Sequence, residues 1–115
     1  MKNLESMSKD ERSLLLFIES CAVETGGLVD ERHMNGVDRI IVDSWVEDKS
    51  IEYGRLSFSS IEKLQSAGTK KYTAWVKLSV EAWQRAHEER CNRFVRLYTN
   101  KTWQTTDEKR KGNKQ

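Results

Sequence analysis

The chain has 115 residues, of which 33% are charged, and its net charge is +2 at neutral pH. A chain of this length can bury one modest core, so we expect one folded domain. The sequence shows neither an apolar run of membrane-spanning length nor a secretory signal, which predicts a soluble, cytoplasmic protein without membrane contact. Its two cysteines are too few for a disulfide scaffold, and both are expected to be reduced and packed.

The small net charge conceals a charge reversal near the middle of the chain. Residues 1–54 carry 6 Lys and Arg against 12 Asp and Glu, whereas residues 55–115 carry 14 against 6. If the basic half is gathered on one surface, it attracts a polyanion such as nucleic acid or an acidic protein face. The charge pattern therefore indicates a binding protein.

The first predicted helix begins with a capping box, because Ser8 is followed three residues later by Glu11. Apolar residues then recur at helical spacing up to a Gly-Gly pair, which predicts a helix over about 8–25. We expect residues 1–7 to form a flexible N-terminus.

A helix-turn-helix arrangement follows a very short extended segment. Asp30 can cap one turn of helix, an Asn-Gly turn ends it, and Asp38 can cap a second helix that ends at about 48–50. The apolar side of this second helix, which we expect to face the core, consists of Val37, Ile40, Ile41 and Trp45.

Two strands and a long helix complete the predicted order. The strands lie at about 51–58 and 72–78 and pair as a hairpin, and the connection between them contains a short helix capped by Ser59. Ser79 caps a last helix that runs to about 100. The face of this helix predicted to pack inward comprises Trp83, His87, Cys91, Phe94 and Tyr98. Residues 104–115 are predicted to be a flexible basic tail, so the domain spans 8–103.

Three stretches resemble the middle of winged-helix domains: Gly27-Leu28-Val29-Asp30, the Asn35-Gly36 turn, and residues 45–55, where a helix ends in a polar turn before a strand. The chain is also similar to small phage-encoded winged-helix proteins and to the N-terminal domains of phage replication organisers. The resemblance covers residues 8–80 and rests on hydrophobic pattern and turn placement. It implies an α+β, winged helix-turn-helix fold with a two-stranded wing hairpin, a long C-terminal helix, and DNA as the ligand.

In this family the helix after the turn usually enters the major groove of DNA. Here the predicted solvent side of that helix is a poor match, since it carries Arg39, Val42, Asp43, Val46 and Glu47. Its carboxylates are repelled by phosphates. The alternative function is therefore a protein-binding adaptor or inhibitor that binds no nucleic acid. Its predicted contact residues are Val42, Val46, Trp75 and Trp103.

The leading hypothesis is a DNA-associated protein of phage or mobile-element type that binds mainly by electrostatic attraction and has weak sequence preference. The basic wing, last helix and tail would carry this contact. Next to Lys70 and Lys71 the sequence places Tyr72, which combines positive charge with a surface for base stacking. The predicted nucleic-acid-binding residues are Arg55, Lys63, Lys70, Lys71, Lys77, Arg85, Arg93 and Arg96.

The sequence shows no pattern typical of catalysis or metal binding. His87 and Cys91 have a helical spacing that suits a metal, but the remaining candidates, Cys21 and His33, have no paired spacing of their own. No serine elbow or phosphate-binding glycine loop is present. We therefore predict a non-catalytic protein without metal or cofactor. A homodimer formed through the last helix is a further hypothesis.

Overall fold

The computed structural model describes residues 1–69 and 71–99, so Lys70, Trp103 and the predicted tail lie outside the described residues. Within them the chain forms four α-helices and one three-stranded antiparallel sheet, which confirms the predicted α+β class. The elements are α1 (Lys9–Glu24), β1 (Leu28–Val29), α2 (Gly36–Glu47), β2 (Ile51–Arg55), α3 (Phe58–Ser66), β3 (Ala74–Leu78) and α4 (Val80–Thr99). Short 3₁₀ turns cover Leu4–Ser6 and Glu31–His33.

Helix α1 begins as predicted, with the capping box between Ser8 and Glu11 fully formed. It ends at Glu24, and the Gly-Gly pair that follows contains a glycine that the fold requires. Gly27 has a φ of +103°, and a Cβ at this position would lie 2.6 Å from the carbonyl oxygen of Val76 in β3. The same contact supports the sheet, because the Val76 amide donates a 2.8 Å hydrogen bond to the Gly27 carbonyl.

Strand β3 lies at the centre of the sheet, in the order β1-β3-β2. Its alternation is confirmed, since Ala74, Val76 and Leu78 are buried while Trp75 and Lys77 are exposed. The hairpin between β2 and β3 and the helix within their connection are also confirmed.

The start of α3 differs from the prediction. Ser57 rather than Ser59 is its N-cap, because the Ser57 hydroxyl accepts a 3.2 Å hydrogen bond from the Ser60 amide. Phe58, predicted to end a strand, is therefore the first residue of α3, and its side chain is 77% exposed.

The core lies between the sheet and helices α1, α2 and α4. Its largest completely buried aliphatic side chains are Leu15 and Ile18 of α1 and Val29 of β1. Met7 is also buried, and Leu4 packs against the core, so the packed part of the chain begins before the predicted boundary at residue 8.

Helix α2 is rotated about its axis relative to the prediction. Its buried side chains are Val42 and Trp45, while Val37 is 50% exposed and Ile40 71% exposed. Apolar residues surround the middle of this helix, so helical periodicity allowed two different stripes that share Ile41 and Trp45. The helix also begins earlier, because Asn35 is its N-cap and Asp38 completes the capping box.

The prediction for α4 was right about its bounds and wrong about its orientation. Ser79 caps the helix through a 3.1 Å hydrogen bond from the Ala82 amide. The buried residues, however, are Ala82, Ala86 and Glu89. The side chains predicted to face inward are instead exposed: Trp83, His87, Cys91, Phe94 and Tyr98. Small alanine side chains let α4 approach α1 closely, which large aromatic residues at the same positions would prevent.

Candidate nucleic-acid interface

A polar cleft of about 770 Å³ opens between the start of α2 and the loop that leads into β3. One wall is formed by the Glu31–His33 turn and α2, and the other by the connection between β2 and β3. The lining residues are Asp30, Glu31, Arg32, Arg39, Gly68, Thr69, Lys71 and Thr73. The cleft therefore lies between α2 with its preceding 3₁₀ turn and the connection of the β2–β3 hairpin.

Glu31 connects the two walls of the cleft. Its side chain is only 10% exposed, and it accepts hydrogen bonds of 2.7 Å from the Tyr53 hydroxyl and 2.8 Å from the Thr73 hydroxyl. Arg39 of α2 lies 3.5 Å from the same carboxylate. A carboxylate that accepts two hydrogen bonds and faces a guanidinium keeps the 3₁₀ turn, the sheet and α2 in fixed relative positions.

These contacts keep Glu31 ionised. Burial alone would raise the pKa of Glu31, but the hydrogen bonds from Tyr53 and Thr73 and the charges of Arg39 and Arg55 outweigh burial and lower it. The pKa of Tyr53 is raised, first by burial and then by its hydrogen bond to Glu31. The pair is therefore an ionised carboxylate that accepts a hydrogen bond from a neutral phenol.

Asp30 and Arg32 form a second fixed pair beside Glu31. The Arg32 side chain donates hydrogen bonds of 2.9 and 2.8 Å to the two oxygens of Asp30. These bonds are the main reason that the pKa of Asp30 falls to about 2. His33 Nε2 lies 3.5 Å from the same carboxylate. Asp30 thus holds Arg32 at the cleft through a bidentate contact.

Positive charge exceeds negative charge around the cleft. Arg32, Arg39 and Lys71 line it together with two carboxylates, and Arg55 is near enough to contribute to the lowered pKa of Glu31. Lys71 Nζ lies 5.3 Å from the centre of the Tyr72 ring, a cation–π distance. The rim thus carries cations on both walls, above carboxylates that are already hydrogen-bonded.

Only part of the predicted nucleic-acid-binding set gathers at this cleft. Arg55 and Lys71 are beside it, and Lys63 is exposed on α3. Lys77 is also exposed, but it projects from the outer face of the sheet, opposite Glu52 of β2.

The three predicted arginines of α4 make contacts within the protein itself. Arg93 Nε and Arg96 Nη2 lie 2.7 and 3.3 Å from the same oxygen of buried Glu89. Arg85 lies within 4 Å of Glu81 and Glu88. An arginine that compensates a buried carboxylate is less available to a phosphate, because leaving that carboxylate unpaired costs free energy.

The structure changes the predicted protein-contact set as well. Val42 is 3% exposed and packs in the core, so it cannot contact a partner. Val46 is 39% exposed and Trp75 36% exposed, which agrees with their predicted positions at the surface. The indole ring of Trp75 packs on the backbone of Gly54, and a Cβ added at Gly54 would lie 2.8 Å from that ring. Trp103 lies outside the described residues.

The sequence analysis missed the arrangement around Glu31. Tyr53 and Thr73 are 22 and 42 residues away from Glu31, so no local motif connects them. The run Asp30-Glu31-Arg32 was visible as a charged turn, but its neighbours depend on how β2 and β3 pair. Arg39 was placed on the exposed side of its helix, where it is found.

The thiols and imidazoles show no metal site in the described residues, where no three His, Cys, Asp or Glu side chains are grouped to hold an ion. Cys21 is buried as expected, but Cys91 is exposed, with its sulfur 3.7 Å from His87 Nε2. Within 1–69 and 71–99, no helix has the length and apolar character needed to cross a bilayer.

Comparisons with protein-family models, with curated proteins and with solved structures found no match to this chain.

Proposed function

We propose that this protein binds duplex DNA without catalysis, mainly by electrostatic attraction, through the cleft between α2 and the β2–β3 connection. The observation that carries the proposal is the placement of cations on both walls of this one cleft: Arg39 on α2, which stays 48% exposed although it lies 3.5 Å from Glu31, and Lys71 on the β2–β3 connection. Arg55 of β2 lies near the cleft and contributes further positive charge. Phosphates of a bound strand would replace water around these side chains.

The order of elements supports a winged-helix arrangement. The 3₁₀ turn and α2 form the helix-turn-helix, β2 and β3 form the wing hairpin, and β1 completes the sheet beside β3. In this interpretation α3 belongs to the wing. The phage or mobile-element origin rests only on the resemblance of the sequence to that family.

The outward side of α2 is better suited to DNA at its beginning than at its end. Val37, Arg39 and Ile40 are exposed in its first half, whereas Asp43 and Glu47 are exposed in its second half. Recognition helices contact base edges with their N-terminal residues, and apolar side chains there contact thymine methyl groups. With one cation and no amide side chain, this surface supports weak sequence preference.

The test is fluorescence anisotropy of a labelled random-sequence duplex over a series of salt concentrations, using the full chain. Binding should weaken steeply with salt. The variant Arg55→Gln/Lys71→Gln should lower the slope of log affinity against log salt by about 2, since each lost phosphate contact removes about one unit.

The matched control is Lys9→Gln/Lys77→Gln, which removes the same charge from exposed positions away from the cleft. It should leave the slope nearly unchanged. Equal losses in both double variants would show attraction to net charge rather than binding at the cleft. No binding of the unmodified chain at low salt would refute the proposal.

One observation favours the adaptor as a second candidate. Val37 and Ile40 lie one helical turn apart on α2 with half or more of their surface exposed, and they replace Val42 as the apolar surface of this helix. If the chain binds no DNA, Val37→Asp/Ile40→Asp should abolish capture of a protein partner while leaving the fold unchanged by circular dichroism.

A further inference from the structure

Helix α4 carries a continuous apolar and aromatic stripe on its solvent side. The stripe residues recur every three or four positions, the spacing of one helical face: Val80, Trp83, His87, Cys91, Phe94 and Tyr98. Val80 is 74%, Phe94 65% and Tyr98 54% exposed. The Phe94 and Tyr98 rings contact each other, with centroids 5.5 Å apart.

The stripe is not needed to complete the core of the chain. The side of α4 that faces α1 and the sheet is already filled by Ala82, Ala86 and Glu89. Leu97 and Val95, on either side of the stripe near its end, are 61% and 56% exposed. An apolar surface of this length, exposed along a whole helix, is typical of an interface with another molecule.

The charges of α4 identify a second copy of the chain as the molecule that fits. In the first ten residues of the helix, two carboxylates are exposed, those of Glu81 and Glu88, beside the less exposed Arg85, while Glu89 is buried. The last ten residues carry three partly exposed arginines, Arg90, Arg93 and Arg96, and no carboxylate. Two parallel copies would place like charges side by side. Two antiparallel copies place each acidic half beside a basic half.

We propose that α4 packs antiparallel against α4 of a second copy, about a two-fold axis that passes between His87 and Cys91. Such an interface is self-complementary: Phe94 and Tyr98 at one end of the stripe pack against Val80 and Trp83 at the other end of the second copy. None of the residues that line the DNA-binding cleft belongs to α4, so this proposal is independent of the proposed function.

Sedimentation equilibrium of the full chain over a range of concentrations tests the proposal. The expected mass is twice that of the 13.4 kDa chain at high concentration. The variant Phe94→Glu/Tyr98→Glu should raise the dissociation constant of the dimer at least about tenfold, because it places four carboxylates in one interface. Circular dichroism should show an unchanged fold, since both side chains are more than half exposed.

The control variant is Val23→Glu/Phe58→Glu, which changes two equally exposed apolar residues on α1 and α3. It should leave the dissociation constant unchanged. A monomer at every concentration would overturn the proposal and leave the stripe to a different partner. A dimer that only the control variant disrupts would place the interface elsewhere.

Cross-linking tests the antiparallel orientation separately. In a Cys91→Ser background, Val80→Cys and Tyr98→Cys each supply one exposed thiol at one end of the stripe, and Cys21 remains buried. When the two variants are mixed, a short bismaleimide should join Val80→Cys to Tyr98→Cys, and neither variant should cross-link with itself. Self-cross-linking of each variant would show a parallel pair and overturn the proposed orientation.

Discussion

Helices α1 and α4 are the two longest helices in the described part of the chain, they pack against each other, and they bury side chains of different size. Helix α1 turns its large aliphatic residues inward and leaves Val23 as an exposed exception. Helix α4 buries two alanines and a carboxylate and leaves its aromatic residues in solvent. Both helices are amphipathic, but only α1 contributes large apolar side chains to the core, and α4 contributes alanines.

This difference shows that helical periodicity indicates that a helix has an apolar face. It does not indicate whether the core of the same chain covers that face. At the contact between the two helices, α1 contributes large side chains, and the small alanine side chains of α4 leave room for them. The resulting asymmetry predicts that substitutions at equivalent apolar positions will have very different effects on stability.

The largest effect is expected in α1. Leu15 is completely buried, so Leu15→Ala removes apolar contacts and leaves a cavity in the core. We expect the free energy of unfolding, measured with urea, to fall by about 3 kcal/mol. Val23→Ala on the same helix, where the side chain is 67% exposed, is the control and should change it by less than about 0.5 kcal/mol. Similar losses would contradict the assignment of α1 to the core.

A smaller loss of stability is expected when a larger side chain is introduced on the side of α4 that packs against α1. Ala86 is completely buried, and Ala86→Leu forces additional volume into the contact. The unfolding free energy should fall by about 2 kcal/mol. Gln84→Leu, at an exposed position of the same helix, adds similar bulk in solvent and should have little effect. An Ala86→Leu protein of undiminished stability would mean that the α1–α4 contact is loose.

The buried carboxylate of α4 should contribute less. Glu89→Gln keeps the shape of the side chain but removes its charge, so the hydrogen bonds from Arg93 and Arg96 weaken. Because both arginines are partly exposed, we expect a loss of only about 1 kcal/mol. Glu88→Gln, at an exposed position, is the control. A gain in stability would show that the free energy lost by desolvating the buried charge exceeds the free energy gained from its ion pairs.

The smallest effect is expected for the largest apolar side chains of α4. Phe94→Ala removes a ring that is 65% exposed, so the free energy of unfolding of the monomer should change by less than about 0.5 kcal/mol. The measurement is made at a concentration where the chain is monomeric. A loss comparable to that of Leu15→Ala would place Phe94 in the core after all.

Much of the fold could be predicted from local signals. The capping box at Ser8 gave the start of α1, the Ser79 cap gave the start of α4, and the alternation of β3 gave its buried side. The predicted Asn35-Gly36 turn is instead the beginning of α2. The orientation of α2 and α4 could not be predicted, because the deciding partner of each helix is distant in sequence. For α4 that partner is α1, which requires Ala82 and Ala86 rather than Trp83 at the contact.

The candidate site was predicted only in part for the same reason. Arg55 and Lys71 were selected by charge; Lys71 lines the cleft, and Arg55 lies close enough to lower the pKa of Glu31. The position of Glu31 depends on hydrogen bonds to Tyr53 and Thr73, which come together only after the sheet has formed. Counting charges also could not distinguish Lys71 from Arg93, since only the structure shows that Arg93 pairs with a buried carboxylate.

The long connection between β2 and β3 affects the order in which the chain folds. A two-residue turn would bring the two strands together at little entropic cost, whereas here the segment from Leu56 to Thr73 must be closed before the first ladder bond forms. Loop closure costs about 0.6 kcal/mol more for each doubling of loop length. The contact between α1 and α4 closes a longer segment still, from Glu24 to Val80, so the hairpin should form before these two helices pack together. Insertions in the connection should slow the closure of the hairpin only slightly, because the cost of closure rises slowly with length.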